Sequence, residues 1–158
     1  MTQATVSELA VGQEIPEFQR ATGLHNWNRY AAVNYEFVDI HMDDEAGQAA
    51  GYPTAFGMGN LQWSYLHAML RQWMGDDGRI LRLGCQFRAA NTKGMIVTAH
   101  GKITAIREEG GETIVDLEIW TDNDSGKIMA PGTATVALPR GLRRVAADRV
   151  SRLTGCRG

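Results

Sequence analysis

The segment Met58–Met74, MGNLQWSYLHAMLRQWM, is the stretch of this sequence that decides the fold. Its apolar side chains occupy most of the helical circumference, and a helix of this kind is expected to be surrounded by the rest of the protein. These side chains are Leu61, Trp63, Tyr65, Leu66, Ala68, Met69, Leu70 and Trp73. The run 75–78, Gly-Asp-Asp-Gly, ends the helix. The sequence therefore predicts one long buried helix near the middle of the chain.

Four runs rich in Ile, Val, Leu and Thr follow this helix and are predicted to be β-strands. They span 79–89, 95–106, 113–121 and 127–138, and turn sequences rich in Gly, Asn and Asp separate them. The second run places Val97, Ala99 and Ile103 on one face and Thr98, His100, Lys102 and Thr104 on the other. The third alternates Val115, Leu117 and Ile119 with Asp116 and Glu118. Because the connections are short, neighbouring runs are expected to pair in antiparallel fashion.

The region before the long helix is predicted to contain one strand and two short helices. The strand covers 11–22, with Pro16 at an edge position. One helix covers 25–34, and an extended or irregular segment covers 35–43. Asp43 or Asp44 is a suitable N-cap for the second helix, which Gly51 and Pro53 end.

An antiparallel sheet that curls around a central helix buries the apolar faces of both. We therefore predict an α+β protein with the hotdog fold, in which the sheet wraps around a long central helix. Residues 1–138 are expected to form one hotdog domain, and residues 139–158 a basic, flexible tail. The tail has six arginines and one acid, a net charge of +5, whereas the preceding residues have 10 basic and 17 acidic side chains, a net charge of −7.

Composition argues against several classes of protein. The tail has no interleaved aromatic residues and the body is acidic, so nucleic-acid binding is not expected. No apolar run has the length of a membrane span, and the N-terminal residues do not resemble a secretory signal, so we expect a cytoplasmic protein. Cys85 and Cys156 lack both a disulfide framework and metal-ligand spacing. Asp43, Asp44 and Glu45 are interpreted as helix-capping acids, and no metal is expected.

The run 36–43, EFVDIHMD, contains the main candidate for catalysis. Glu36 precedes His41 by five residues, and Gly59 follows His41 by 18 residues at the start of the long helix. A carboxylate and an imidazole can activate a water molecule and move its proton. A glycine N–H at a helix N-terminus can stabilise an oxygen that gains negative charge. His67 and His100 have no comparable neighbours in the sequence and are interpreted as structural.

The surrounding sequence, from Tyr30 to Leu61, resembles the MaoC-like, (R)-specific enoyl-CoA hydratase family of hotdog proteins. That family's motif reads Asp, any residue, Asn-Pro, an aliphatic residue, His, any residue, Asp; a Gly-aromatic pair and a helix-opening His-Gly follow. His41, Asp43, the pair 51–52 and Gly59 match it. The run 37–41 is also similar to the small MaoC-like subunits of steroid side-chain degradation. The resemblance covers residues 10–138.

This resemblance implies hydration of an enoyl-CoA or dehydration of a 3-hydroxyacyl-CoA. It assigns Glu36 and His41 to water activation and Gly59 to the thioester oxygen. Glu36 replaces the family's Asp and adds one methylene, Met58 replaces the His before the glycine, and residues 38–39 are Val-Asp instead of Asn-Pro. Asp39 could therefore share the acid's role. CoA would be part of the substrate, without a separate cofactor, and Arg82, Arg88 or Lys93 could contact its phosphates.

The resemblance also implies a homodimer or a heteromer with another MaoC-like subunit, since hotdog domains generally join their sheets. Two alternatives for the function remain open. A thioesterase on the same fold would use a carboxylate without needing His41. A non-catalytic or partner-dependent acyl-CoA-binding subunit would leave catalysis to its partner, and Glu36 would then mark a lost base.

Overall fold

The long central helix runs from Gly59 to Met74 (α3) in a computed structural model that describes residues 9–139 of the chain. Gly75, at a φ of 73°, follows its last residue in a backbone conformation that glycine adopts readily. The buried side of α3 consists of Leu61, Gln62, Tyr65, Leu66, Met69, Leu70, Trp73 and Met74. The prediction of a long central helix is confirmed, except that Trp63 is 39% exposed and lies beside the exposed His67, with ring centroids 5.8 Å apart.

Seven strands form one large and one small antiparallel sheet in the described residues. In chain order they are β1 (Phe18–Ala21), β2 (Phe56–Gly57), β3 (Arg79–Cys85), β4 (Asn91–Thr92), β5 (Ile96–Glu109), β6 (Glu112–Asn123) and β7 (Gly132–Pro139). The large sheet has the order β1-β5-β6-β7-β3, and β2 pairs with β4. Strands β5, β6 and β7 follow each other through short turns, as predicted.

Strand β3 departs from the predicted pairing of neighbours. It pairs with β7, at the far edge of the sheet from β1, and not with β5. The ten residues between β3 and β5 include β4, which pairs with β2, so this connection crosses to the other end of the sheet. Only a tight hairpin forces consecutive strands to be neighbours, and this connection is too long to do so.

The core lies between the large sheet and the buried side of α3. Val115, Leu117 and Ile119 on β6 are buried there, which confirms the predicted alternation. On β5 the alternation holds for Val97, Ala99 and Ile103, but Thr98, predicted on the polar face, is also buried.

The N-terminal region wraps against the sheet and leads into the segment that holds the candidate site. The predicted 11–22 strand is interrupted: residues 12–15 bond to β5, and β1 begins only after Pro16, which has no N–H to donate. Helices α1 (Leu24–Asn34) and α2 (Asp44–Ala49) follow, with a 3-10 turn between them at Asp39–His41. Asp43 is the N-cap of α2, accepting a hydrogen bond from the N–H of Ala46 at 2.8 Å.

Two further predictions concern the periphery. No helix within residues 9–139 is long and apolar enough to cross a membrane. The basic tail from Arg140 and Cys156 lie outside the described residues. Cys85 at the end of β3 forms no disulfide within residues 9–139, and partial burial raises its pKa.

Candidate active site

His41 is held in a defined orientation by the backbone of a neighbouring strand. It ends the 3-10 turn and is 8% exposed. Its Nδ1 lies 2.7 Å from the carbonyl oxygen of Phe56, and its ring meets the Phe56 ring edge-on with centroids 5.3 Å apart. Because a carbonyl oxygen only accepts, Nδ1 carries the ring proton and Nε2 is left as an acceptor. The imidazole is thus set up to take a proton through Nε2.

The same segment that orients His41 leads directly into Gly59. Phe56 belongs to β2, and Gly59 begins α3 three residues later. The N-cap position, Met58, makes no side-chain capping hydrogen bond. The N–H of Leu61 donates to the Met58 carbonyl at 3.2 Å. The N–H groups of Gly59 and Asn60 have no acceptor within the helix, so they are suited to an oxygen that carries partial negative charge. His41 and Gly59 are therefore joined through one short backbone segment.

Buried polar side chains fix the junction between β2 and α3. The indole N–H of Trp27 donates to Asn91 Oδ1 at 3.0 Å, and both residues are fully buried. The Asn91 amide nitrogen lies 3.5 Å from the Met58 carbonyl oxygen. Gly57 passes so close that a Cβ there would overlap the Asn91 amide and the Trp27 indole nitrogen. The sequence did not indicate this group, because Asn91 lies between the predicted strands 79–89 and 95–106, where only a turn was expected, and the structure places it in β4.

Phe87 covers Gly59 from the segment after β3. A Cβ built on Gly59 would lie 2.8 Å from Cδ2 of the Phe87 ring. The ring itself is 48% exposed. An aromatic side chain therefore lies between the start of α3 and solvent, and no pattern in the sequence had indicated it.

Glu36 forms no hydrogen bond with His41 or with the segment that leads into Gly59. It follows α1, where Tyr35 adopts a left-handed conformation with φ of 54°, and its N–H donates to the Ala31 carbonyl at 3.0 Å. The residue is partly buried, and its carboxylate has no hydrogen-bond or ion-pair partner among residues 9–139. The structure thus connects His41 with the Gly59 segment but does not bond Glu36 to either. Asp39, at the start of the 3-10 turn, is exposed.

Of the three basic residues predicted as possible CoA contacts, Lys93 and Arg88 have side-chain partners among residues 9–139 and Arg82 has none there. Lys93 forms an ion pair with Asp44. That contact, followed by a hydrogen bond from the N–H of Ala55, lowers the pKa of the Asp44 carboxyl. Arg88 bonds to the side chain of Gln86. Arg82 lies on edge strand β3 beside an open cavity of about 510 Å³.

His100 has closer partners than the sequence indicated. Its Nδ1 lies 3.3 Å from Glu17 and its Nε2 3.0 Å from Asp122, and its ring stacks on Trp120 with centroids 5.1 Å apart. Within residues 9–139, no three His, Cys, Asp or Glu side chains form a group that could hold a metal ion.

Comparisons with known proteins identify the fold. The sequence matches no protein-family profile and no curated protein. Among solved structures, the chain is similar to the (R)-hydratase from A. caviae involved in PHA biosynthesis, with a TM-score of 0.76 and 25% identity over 85% of this chain and 100% of the other. The ChsH1-ChsH2 complex from Mycobacterium tuberculosis aligns with a TM-score of 0.73 and 19% identity, over 82% and 98% of the two chains.

A third similar structure is the MaoC-like dehydratase from Rhodospirillum rubrum. It has a TM-score of 0.74 and 16% identity, over 89% of this chain and 98% of the other. These likenesses confirm the hotdog fold and the resemblance to MaoC-like proteins that the 30–61 segment had indicated.

Proposed function

We propose that this protein is a hydro-lyase that adds water across the 2,3 double bond of an enoyl-CoA, or removes it from a 3-hydroxyacyl-CoA. One observation carries the proposal: buried His41 bonds through Nδ1 to the Phe56 carbonyl, 2.7 Å away, on the segment that leads into Gly59. Base and oxyanion donor are thereby fixed relative to each other. The similarity to an (R)-hydratase and to a MaoC-like dehydratase supports the same class of reaction.

In the proposed hydration, a water oxygen forms a bond to C3 of the enoyl group while His41 Nε2 or the Glu36 carboxylate takes a proton from that water. The electron pair of the double bond shifts towards the thioester, whose oxygen gains negative charge. The Gly59 N–H donates to this oxygen. The protonated base, or the other of these two groups, then delivers a proton to C2 as the electron pair returns from the thioester oxygen, so H and OH are added without oxidation or reduction. CoA enters as part of the substrate, and the proposal includes no other cofactor.

Glu36 has room for this role because its carboxylate is not committed to another group in the described part of the chain. A misplacement of about 1 Å can cost on the order of a hundredfold in rate, so the extra methylene relative to aspartate matters. Asp39 is the alternative acid. A cytoplasmic location and pairing with a second copy or with another MaoC-like subunit belong to the same proposal.

The test is the loss of enoyl absorbance with crotonyl-CoA and with a bulky polycyclic enoyl-CoA. Wild type, His41→Ala, Glu36→Asp and Asp39→Asn are compared at equal folded concentration. We expect turnover by the wild type and a loss of about a hundredfold or more in His41→Ala, as for removal of a general base. Full activity in His41→Ala would overturn the assignment and favour a thioesterase. The ratio of the Glu36→Asp rate to the wild-type rate shows whether the longer acid is adapted to this site.

A partner-dependent subunit is the second candidate, and a specific observation favours it. The Glu36 carboxylate is not hydrogen-bonded to His41, and one similar structure is a complex of two named chains. In this case the purified chain alone would show no turnover with either substrate. Activity would appear only after a MaoC-like partner with its own acid–histidine pair is added, and His41→Ala in this chain would leave that activity unchanged.

A further inference from the structure

A cavity of about 480 Å³ lies between α1, α3 and β1. This volume is typical of sites for small organic molecules. Arg29, Tyr30 and Val33 line it from α1, Leu61 and Tyr65 from α3, and Arg20 from β1. The lining residues of α1 (26, 29, 30, 33 and 34) and of α3 (61, 64 and 65) recur every three to four positions, so each helix presents one face to the cavity. None of the three proposed catalytic residues lines it.

Tyr65 supplies a hydrogen-bond donor with nothing to donate to. The residue is 6% exposed, and its hydroxyl has no hydrogen-bond partner within residues 9–139. Its ring packs on Phe18 with centroids 5.8 Å apart. Burial raises the pKa of this phenol, so it stays protonated and able to donate at neutral pH. Buried polar groups without a partner are uncommon and destabilising, so an acceptor from outside the chain would satisfy this one.

Two guanidinium groups give the same cavity a positive charge. Arg20 lies over the Phe18 ring, 4.0 Å from its centroid, and donates one hydrogen bond to the Gln19 carbonyl at 2.8 Å. In the described part of the chain, neither Arg20 nor Arg29 forms an ion pair, and no acidic side chain lines the cavity. Arginine forks bind carboxylate and phosphate oxygens in a bidentate manner.

We propose that this cavity binds an amphipathic organic anion. Its anionic oxygens accept hydrogen bonds from Arg20, Arg29 and the Tyr65 hydroxyl. Its apolar body lies against Val33, Leu61 and the Tyr30 ring. Carboxylate and phosphate head groups share the required chemistry. This site is separate from the proposed catalytic site. The proposal does not depend on hydratase activity, and its test measures binding without turnover.

The first measurement is a fluorescence titration of the full chain with 1-pyrenebutyrate and with 1-pyrenebutanol, which differ in the anionic group. We expect saturable 1:1 binding of the acid and binding of the alcohol that is weaker by roughly tenfold or more, the effect of a hydrogen bond to a charged group. Tyr65→Phe and Arg20→Gln should each weaken binding of the acid by roughly tenfold. Tyr35→Phe and Arg107→Gln, which change the same groups outside the cavity, should leave the binding unchanged.

Thermal unfolding separates this role from a structural one. Tyr65→Phe removes an unpaired buried hydroxyl and keeps the ring, so the Tm without ligand should stay equal or rise. Decanoate and decyl phosphate are then used to displace the pyrene acid, and displacement by either supports the site and identifies the head group.

The proposal is overturned if the acid and the alcohol bind equally, if Tyr65→Phe binds like wild type, or if neither competitor displaces the probe. It is also overturned if Arg20→Gln changes the sedimentation coefficient instead of the affinity, because the cavity wall would then be a contact between copies.

Discussion

His41 shows how single residues at this site depend on backbone groups. The acceptor that selects its tautomer is the Phe56 carbonyl, and no side chain substitution can remove that group directly. The position of Phe56 depends in turn on Gly57, whose missing side chain makes room for Asn91 and Trp27. Gly57, just before α3, is therefore as important for the geometry of the site as Gly59, which begins the helix.

Gly57→Ala is expected to destabilise the protein. The added methyl group overlaps the Asn91 amide and the Trp27 indole nitrogen, both buried, so the junction must shift. Overpacking of this kind costs roughly 1–3 kcal/mol of unfolding free energy, measured by urea denaturation. Gly84→Ala is the control, because a Cβ there meets nothing within 4 Å. Equal stability of the two variants would contradict the close approach at Gly57.

Asp44 gives a pH dependence whose sign is set by its lowered pKa. The ion pair with Lys93, then the N–H of Ala55, holds the folded pKa below the ordinary value of 3.8. A depressed pKa contributes stability above the unfolded pKa, and that contribution is lost as the pH falls through the folded pKa. Asp44→Asn should therefore be less stable than wild type at pH 7, and the difference in Tm should shrink below about pH 4.

Asp39→Asn serves as the comparison for this measurement. Asp39 is exposed and its carboxylate has no partner within residues 9–139, so its substitution should change the Tm little at either pH. A Tm difference between Asp44→Asn and wild type that stays constant from pH 7 to pH 3 would show that the charge of Asp44 does not contribute to stability.

Among the elements, α3 is attached to the rest of the fold by a buried polar contact as well as by apolar packing. Gln62, 1% exposed, accepts from the Thr121 hydroxyl of β6 at 2.8 Å and donates to the Ala89 carbonyl at 2.9 Å. The latter residue lies between β3 and β4, next to the segment that carries Phe87. One side chain thus ties the helix to the sheet and to the connection over Gly59.

Thr121→Val is expected to lower the unfolding free energy by about 1–3 kcal/mol, because it leaves Gln62 Oε1 buried without a donor. Gln62→Leu combined with Thr121→Val should cost less than the sum of the single changes, since neither side chain then leaves the other without its partner, while the Ala89 carbonyl loses its donor in Gln62→Leu and in the double variant alike. Thr133→Val, on an exposed position of β7, is the control and should change stability by no more than about 0.5 kcal/mol. Additive losses would show that the two side chains act independently.

Prediction at the element scale succeeded where local chemistry decides. The N-cap at Asp43, the helices, and the alternation on β6 follow from neighbouring residues and appear as expected. It failed for β3, whose partner β7 is 47 or more residues away in sequence. Nothing in the 79–85 run specifies which distant strand lies beside it.

At the scale of the whole molecule, the edges of the large sheet determine where another subunit can pair. Strand β1 forms one edge with four residues, and β3 forms the other with seven. Leu81 lies on β3 at a register shift and is 49% exposed. Unpaired edge strands with apolar side chains favour pairing with another chain. We therefore place the proposed subunit contact along β3.

If the proposed homodimer forms along β3, Leu81→Glu is expected to convert it into a monomer, because a carboxylate would have to be buried in the contact. Sedimentation equilibrium at micromolar concentration measures the change. Val11→Glu, at a side chain 65% exposed next to Gly12, which bonds to β5 near the opposite edge, should remain dimeric. A dimeric Leu81→Glu would contradict the contact along β3. A monomeric wild type would contradict the homodimer and favour pairing with a different MaoC-like chain.

By itself, the sequence determined the hotdog class, the central helix, the cap of α2 and the residue types of the candidate site, because helix periodicity, strand alternation and capping act between residues close in the chain. It also named His41 and Gly59 as candidate site residues, since both belong to a recognisable local pattern, and their roles stay a prediction. Only the tertiary structure decided the partner of β3, the Trp27–Asn91 support, the Phe87 cover and the lone Tyr65 hydroxyl. Each of these depends on contacts between residues far apart in sequence, which no local pattern encodes.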